Sequence, residues 1–219
     1  MQKSDRGMGR FWPALAVAGF WALACSPGAA STLKPEAEQR SWHATVYGAK
    51  WAHDNLGNLP RQAARGDLEW WDQYFVGAGL SRVLLPGLPV AVPILQDSQI
   101  ELEGQYLHHF GEMDYPEVTL AFYLRSPDLA LPGELSVNAA FGQGLSYAFK
   151  EPLLESARKD RAPQKLLAYL AFELELSHDA LPNMQLVPRL HHRSGAYGVI
   201  GPRGDGSNYM GLGVRVSLP

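Results

Sequence analysis

The sequence predicts an all-β protein, an eight-stranded antiparallel up-and-down transmembrane β-barrel. Three observations favour this class: segments of about ten residues alternate apolar and polar side chains, the segments are even in number, and an export signal precedes them. The last segment shows the alternation most clearly, with Met210, Leu212, Val214, Val216 and Leu218 on one face and Gly211, Gly213, Arg215 and Ser217 on the other. A strand between lipid and a wet lumen needs this pattern.

The N-terminus has the composition of a secretory signal peptide. Three basic residues precede an apolar run from Phe11 to Cys25, and the small residues 27–30 follow it. Cleavage is expected after Ala30, so that 1–30 is the signal peptide and 31–219 is the outer-membrane barrel domain. The apolar run is shorter than the ~20 residues of a membrane-spanning helix.

Cys25 is the one cysteine of the chain. Its Leu-Ala-Cys setting leaves lipid attachment open as an alternative to ordinary cleavage. The chain beyond Ala30 has no thiol, which excludes disulfides, thiolate metal sites and thiol nucleophiles there. Removing residues 1–30 leaves 16 Lys and Arg against 21 Asp and Glu, a net charge of −5, so a nucleic-acid partner is not expected.

The strands follow one another at the spacing of an up-and-down barrel. The first is rich in aromatic and β-branched residues, the next five alternate, and the last two form a hairpin across a glycine-rich turn. The expected strands are 42–51, 69–81, 99–109, 117–125, 134–146, 166–177, 184–194 and 208–218. Helix is expected at most over 150–162, because that loop is charged and has no alternation.

If the chain starts in the periplasm, each segment between two strands can be assigned to the outer or the inner end of the barrel. The outer loops are then 52–67, 110–116, 147–165 and 195–207, and the inner turns are 126–133 and 178–182. The remaining connection, 82–98, is longer than an inner turn of such a barrel.

The same alternation also describes a soluble sandwich or a lipocalin-like carrier, whose apolar side faces inward. The predicted export, the even number of strands and the glycine-rich closing strand favour the membrane barrel. In that barrel Arg189, His191 and Arg193 are expected to pair with Glu173 and Glu175 in the lumen, since buried charges need partners.

Three tryptophans, Trp51, Trp70 and Trp71, suit an aromatic girdle at the membrane interface. The pair His108 and His109 does not predict a metal site, because successive strand residues face opposite sides and no partner spacing accompanies them. Neither a metal nor another cofactor is expected.

His192 and Ser194 lie on the outward face of the seventh strand, two residues apart and near its outer end. An imidazole beside a hydroxyl can accept the proton of that hydroxyl as its oxygen attacks an ester carbonyl. The ordinary pKa of histidine, near working pH, suits this role. Such a site would open sideways to lipid in the outer leaflet.

The motif His192-Arg193-Ser194 on a penultimate strand, followed by a glycine-rich loop and a last strand, resembles the lipid A 3-O-deacylase (acyloxyacyl hydrolase) family of outer-membrane enzymes. The resemblance is clearest over residues 183–218. It implies removal of an ester-linked acyl chain from the lipid A part of lipopolysaccharide in a Gram-negative outer membrane, without a cofactor. It also implies that His192 is the base and Ser194 the nucleophile.

Two positions depart from the pattern of that family. Where the family has an oxyanion-binding Asn, this chain has Gly195, so backbone N–H groups of a Gly195-Ala196 turn would take that role. Where the family has a Glu that orients the His, this chain has Gly206, and Asp205 or Asn208 would have to replace it. The missing Glu leaves open a non-catalytic barrel of the same fold, with a structural, adhesion or lipid-contacting role.

Overall fold

The computed structural model describes residues 42–90, 92, 95–155 and 162–219, and nearly all of them lie in one sheet. The predicted signal peptide and Cys25 lie outside these residues. The strands are β1 (Trp42–Ala52), β2 (Trp70–Leu85), β3 (Gln99–Gly111), β4 (Tyr115–Arg125), β5 (Leu129–Leu131), β6 (Leu135–Ala148), β7 (Leu166–His178), β8 (Met184–Ser194) and β9 (Gly206–Ser217).

The sheet closes on itself as a barrel of eight strands. Each long strand pairs antiparallel with its neighbour, β4 pairs with β6, and β1 pairs with β9. The short strand β5 pairs only with β6, as a hairpin inside the connection expected to be the turn 126–133. The predicted fold class is therefore confirmed, and every expected strand is present with ends that differ by a few residues.

The two faces of the wall have the predicted polarity. Leu212 and Val214 are 53% and 39% exposed on the outside, whereas Arg215, the next residue along the strand, is 2% exposed and faces the lumen. Outward apolar side chains occur around the wall, among them Val46, Val76, Leu120, Leu145 and Phe172. This is the opposite of the inward apolar face that a soluble carrier requires.

Paired charged side chains occupy much of the lumen. Towards the end with the shorter turns, three arginines form ion pairs with four glutamates. Arg125 contacts Glu101, Glu173 and Glu175. Arg189 contacts Glu103 and Glu173, and Arg215 contacts Glu101 and Glu175. The expected pairing of Arg189 with Glu173 is present. His191 and Arg193 instead contact Glu117, near the other end of the barrel.

The connections differ from the prediction in three places. A helix, α1 (Leu59–Arg65), lies in the first loop, whereas the region 150–162 contains a 3-10 turn at Leu153–Glu155 in its described part. The region 82–98 begins with the last residues of β2. Its other described residues lie outside helices and strands, and the N–H of Leu88 donates to the carbonyl of Ser98. No helix among the described residues is long and apolar enough to cross a membrane.

The aromatic girdle prediction is wrong for two of its three members. Trp70 is 45% exposed on the outer face, as a girdle residue should be. Trp51 is 3% exposed and belongs to the lumen core with Tyr47 and Phe75, and Trp71 packs against that core. The reason is strand parity: Trp51 and Trp71 share the inward face of their strands with the polar lumen residues.

Candidate active site

The hairpin of β8 and β9 places the candidate catalytic residues opposite one another. His192 pairs in register with Asn208, and Ser194 pairs with Gly206. His192 and Ser194 are both partly exposed on the outward face, where their Cα atoms are about 7 Å apart along the strand. Both lie at the end of the barrel that carries the long loops.

Asn208 fixes the orientation of the His192 ring. The Asn208 side-chain N–H donates to the backbone carbonyl of Asp54 at 2.7 Å, so its amide oxygen must be the atom 2.6 Å from Nδ1 of His192. An amide oxygen only accepts hydrogen bonds, hence Nδ1 carries a proton, and in the neutral imidazole Nε2 then keeps its lone pair. His192 is thus held in the tautomer that a general base needs.

Asp54 was not singled out by the sequence, although it completes this arrangement. Its carboxylate accepts the backbone N–H of Glu69 at 3.2 Å, which ties together the two ends of the first loop. Its carbonyl accepts the side-chain N–H of Asn208 from β9, the strand that pairs with β1. A role that runs through a backbone carbonyl has no signature in the residue type, so sequence reasoning had no signal for it.

Ser194 lies next to His192 without being bonded to it. Its Oγ accepts the N–H of Ala196 at 3.4 Å, and His192 is bonded to Asn208 and not to Ser194. In enzymes without substrate, catalytic hydrogen bonds are often long or absent and form only in the complex. A rotation of the Ser194 side chain would bring the hydroxyl towards His192 and release the N–H of Ala196.

The loop after Ser194 is folded tightly on itself. The carbonyl of Gly195 accepts three backbone N–H groups, from Gly198, Ile200 and Gly201. Ala196 and Tyr197 follow with φ angles of 47° and 57°, in the left-handed region that costs non-glycine residues about 1–3 kcal/mol each. Strained backbone of this kind is frequently part of a functional site.

Both departures from the family pattern have a steric cause in this loop. A Cβ at position 195 would lie 2.3 Å from the carbonyl oxygens of Gly201 and Pro202. A Cβ at position 206 would lie 1.9 Å from the carbonyl oxygen of Arg193, and Gly206 has φ 132°. Neither an Asn at 195 nor a Glu at 206 fits this backbone.

The other two candidates of the site are engaged within the loop. The Gly195 N–H donates to the carbonyl of Asp205 at 3.3 Å, so it is not directed at Ser194. The side chain of Asp205 is buried, and its negative charge helps to raise the pKa of Glu155. The structure therefore brings together His192, Ser194 and Asn208, while Asp205 lies towards Glu155.

A second polar cluster, also absent from the sequence analysis, lies just inside the barrel mouth. Glu155 is 6% exposed, accepts Ser207 Oγ at 2.7 Å and pairs with Arg193 at 3.0 Å. Burial raises the pKa of Glu155 to about 7, against the opposing effects of the Arg193 charge and the Ser207 hydrogen bond. The sequence shows Glu155 only as one of several charged loop residues, and nothing in the pattern indicates that it is buried.

The two adjacent histidines face opposite sides of β3, as expected. His109 is buried against Glu117 at 2.8 Å, whereas His108 is exposed and 3.5 Å from Asp114. Within the described ranges, no group of three or more His, Cys, Asp or Glu residues has a geometry that could hold a metal ion.

The fold is similar to those of solved outer-membrane barrels. The crystal structure of the outer membrane enzyme PagL is similar with a TM-score of 0.51 and 10% sequence identity, over 80% of this chain and 99% of that chain. The N-terminal β-barrel domain of Pseudomonas aeruginosa OprF gives a TM-score of 0.43 at 13% identity, over 81% and 97% of the two chains. Neisserial surface protein A gives 0.46 at 10% identity, over 81% and 96%. The sequence matches no protein-family model and no curated protein.

Proposed function

We propose that this protein is a bacterial outer-membrane esterase that removes an ester-linked acyl chain from lipid A, with Ser194 as nucleophile and His192 as general base. The observation that carries the proposal is the bond between His192 and Asn208, which occupies Nδ1 and leaves Nε2 of the neutral ring as a base, two residues from Ser194 on the same face. This arrangement lies on the outward face, where an acylated lipid can reach it.

The location follows from the polarity of the wall. An apolar outer face and a charged lumen suit a barrel that spans lipid, and such barrels occur in bacterial outer membranes. Their longer loops face the cell exterior and their shorter turns face the periplasm. The loop end of this barrel, with His192 and Ser194, would then lie in the outer leaflet, where lipopolysaccharide is found.

The proposed reaction is a two-step acyl transfer. Ser194 Oγ attacks the ester carbonyl while Nε2 of His192 takes its proton, and His192 returns that proton to the departing alkoxide of the sugar. Water then attacks the acyl-serine with the same assistance and releases the fatty acid and free Ser194. Asn208 stabilises the imidazolium that forms in each step, and the N–H of Ala196, released by the rotation of Ser194, can donate to the oxyanion.

The surroundings of Ser194 suit a lipid substrate. An apolar crevice of about 550 Å³ extends along the wall from the end with the shorter turns, where Leu95 and Ser126 line it, to Pro188 and Leu190 on the strand that carries Ser194. Pro188 lies six residues before Ser194, about 20 Å along the strand. Because such strands tilt by about 45°, this is about 14 Å across the membrane, so the near end of the crevice lies within the roughly 15 Å of hydrocarbon that one leaflet contributes.

The loop tip beside the site is also apolar. Tyr197, Val199 and Ile200 are 74%, 75% and 39% exposed. Exposed aromatic and aliphatic side chains at the rim of a barrel suit the boundary between headgroups and acyl chains. The strained loop would thus hold Ser194 at this boundary.

The test is mass spectrometry of lipid A from cells or vesicles with and without the protein. Wild type should release a hydroxy fatty acid, and Ser194→Ala and His192→Ala should each abolish the release while the folded barrel keeps its heat-modifiable migration. His108→Ala is the matched control, because His108 is exposed on the outward face of a distant strand. Equal release by wild type and Ser194→Ala would refute the assignment.

The alternative is a non-catalytic barrel that contacts lipid or another surface. The absence of a bond between Ser194 and His192 and the glycines at 195 and 206 favour it. Unchanged lipid A in the presence of folded wild-type protein would support this alternative over the esterase.

A further inference from the structure

A polar cavity of about 250 Å³ opens in the barrel mouth, on the lumen side of the wall that carries His192 and Ser194. Its lining includes Trp51, Asp54, Asn55, Glu155, Ser207 and Asn208. The proposed ester hydrolysis does not use the space itself. Its volume lies just below the 300 Å³ or so at which sites for drug-sized ligands begin, so it suits a single small ring.

Glu155 indicates that the cavity takes a ligand. One of its oxygens accepts Ser207 and pairs with Arg193, but the other, Oε2, is buried without a hydrogen-bond partner. Glu155 is 6% exposed and lines the cavity, so little solvent reaches that oxygen. A buried polar atom without a partner costs about 1–3 kcal/mol, which a ligand that bonds to it would offset.

The charges around the cavity select for neither an anion nor a cation. An anion would meet the carboxylate of Asp54. A cation gains little, because the carboxylate of Glu155 is already 3.0 Å from the guanidinium of Arg193. A neutral group that both donates and accepts hydrogen bonds remains, and a hydroxyl is such a group.

The rest of the lining suits a ring that carries several hydroxyls. Trp51 supplies an aromatic side chain, held by Trp71 at a ring distance of 5.1 Å. The carboxylate of Asp54 and the hydroxyl of Ser207 add further hydrogen-bonding groups close to it. With a pKa of about 7, Glu155 can accept from or donate to a hydroxyl near neutral pH.

We infer that the barrel mouth contains a saccharide-binding cavity, in which Oε2 of Glu155 bonds a hydroxyl of one sugar ring and the small exposed part of Trp51 contacts the ring. The site adjoins the proposed ester chemistry: Asn208, which bonds His192, lines the cavity, but neither Ser194 nor His192 does. The sugar can come from two sources, a free saccharide or the headgroup of a glycolipid in the outer leaflet.

The experiment uses the barrel in lauryldimethylamine oxide micelles, because this detergent carries no sugar. Saturation-transfer-difference NMR measures binding of free N-acetylglucosamine. Native mass spectrometry compares adducts of a monoglycosyl diacylglycerol with those of phosphatidylglycerol of the same acyl chains. The variants are Glu155→Gln, with Glu151→Gln as control, and Asn55→Trp, with Asn58→Trp as control. Asn55 and Asn58 are both exposed in the same loop, but only Asn55 lines the cavity.

Glu155→Gln and Asn55→Trp should each weaken sugar binding at least tenfold, and both controls should bind as wild type does. Because Asn55 is exposed, its variant tests the site even if Glu155→Gln fails to fold. Ser194→Ala should bind normally, which separates this inference from the proposed esterase. A preference for the glycolipid over phosphatidylglycerol identifies the headgroup as the source, and binding of the free sugar alone identifies a soluble saccharide. Binding of neither probe, or binding unchanged in Asn55→Trp, would overturn the inference.

Discussion

Replacing Arg189 by Met should destabilise the barrel by removing the charge that balances Glu103. Arg189 holds Glu103 by two bonds of 3.1 and 3.2 Å, also contacts Glu173, and stacks over the ring of Tyr47 at 4.5 Å. Its side chain is 1% exposed. A Met side chain fills part of the space of the Arg189 side chain but leaves the buried carboxylate of Glu103 without its ion-pair partner. Glu173 is less affected, because it keeps its ion pair with Arg125 at 3.1 Å.

The size of the effect follows from this difference. Removing one partner of a buried pair costs about 3–5 kcal/mol, because an uncompensated charge remains. Removing the second charge as well, in Arg189→Met with Glu103→Gln, should recover about 2–3 kcal/mol relative to the sum of the single variants. Arg82→Met is the control: Arg82 is exposed and stacks over Trp42 at 5.4 Å, a contact worth at most about 1 kcal/mol.

The assay is urea unfolding of the barrel refolded into lipid vesicles, followed by tryptophan fluorescence and by heat-modifiable migration on gels. The slope of the transition should be unchanged, so that the midpoint reports the free energy of unfolding. If Arg189→Met unfolds within 1 kcal/mol of wild type, or if the double variant shows no recovery, the lumen charges do not stabilise the barrel as argued.

The remaining predictions concern the loops and the lumen. Gly195→Asn should not improve hydrolysis and should make the loop after Ser194 sensitive to protease, because the Cβ of the new Asn would lie 2.3 Å from two carbonyl oxygens. A variant that resists protease and is more active than wild type would contradict this steric argument. The pKa of Glu155 is about 7 in the folded state and 4.5 in the unfolded state. Between these two pH values the folded state binds more protons than the unfolded state, so the free energy of unfolding should fall as pH rises to about 7. Urea midpoints from pH 5 to 8 should show this slope in wild type and Glu151→Gln, and its loss in Glu155→Gln; an unchanged slope in Glu155→Gln would assign it to another group. Planar bilayer recordings should find no stable ion conductance, because charged side chains fill the lumen, and regular open-channel steps would refute that description.

The wall of the barrel was predictable because its faces are set by the two-residue period of a strand. The same period would have placed Trp51 and Trp71 inside, had it been applied to them instead of the general preference of tryptophan for the interface. Helix α1 also had a signal: Pro60 lies in its first turn and Gly66 ends it in the left-handed conformation. Both signals are local in the sequence, and the second does not depend on the alternation of apolar and polar residues.

Only the part of the candidate site that lies on the hairpin of β8 and β9 was predictable from the sequence. His192, Ser194 and Asn208 lie on two adjacent strands, so register brings them near each other. The contact between Asn208 and Asp54 joins residues 154 positions apart, and Glu155 is buried by Arg193 and Ser207 from other elements. Such contacts depend on how the loops close over the mouth, which residue type and periodicity do not encode.

The pairing of the first strand with the last has a consequence for biogenesis. β1 and β9 complete the wall only when they meet, so the chain must be synthesised and delivered almost whole before the cylinder can form. Until then the curling sheet has two unpaired edges, each able to recruit a neighbouring polypeptide. Such long sequence separation also makes spontaneous assembly slow. We therefore expect the nascent protein to depend on holdase chaperones during transit and on an insertion machinery that shields both edges until they join.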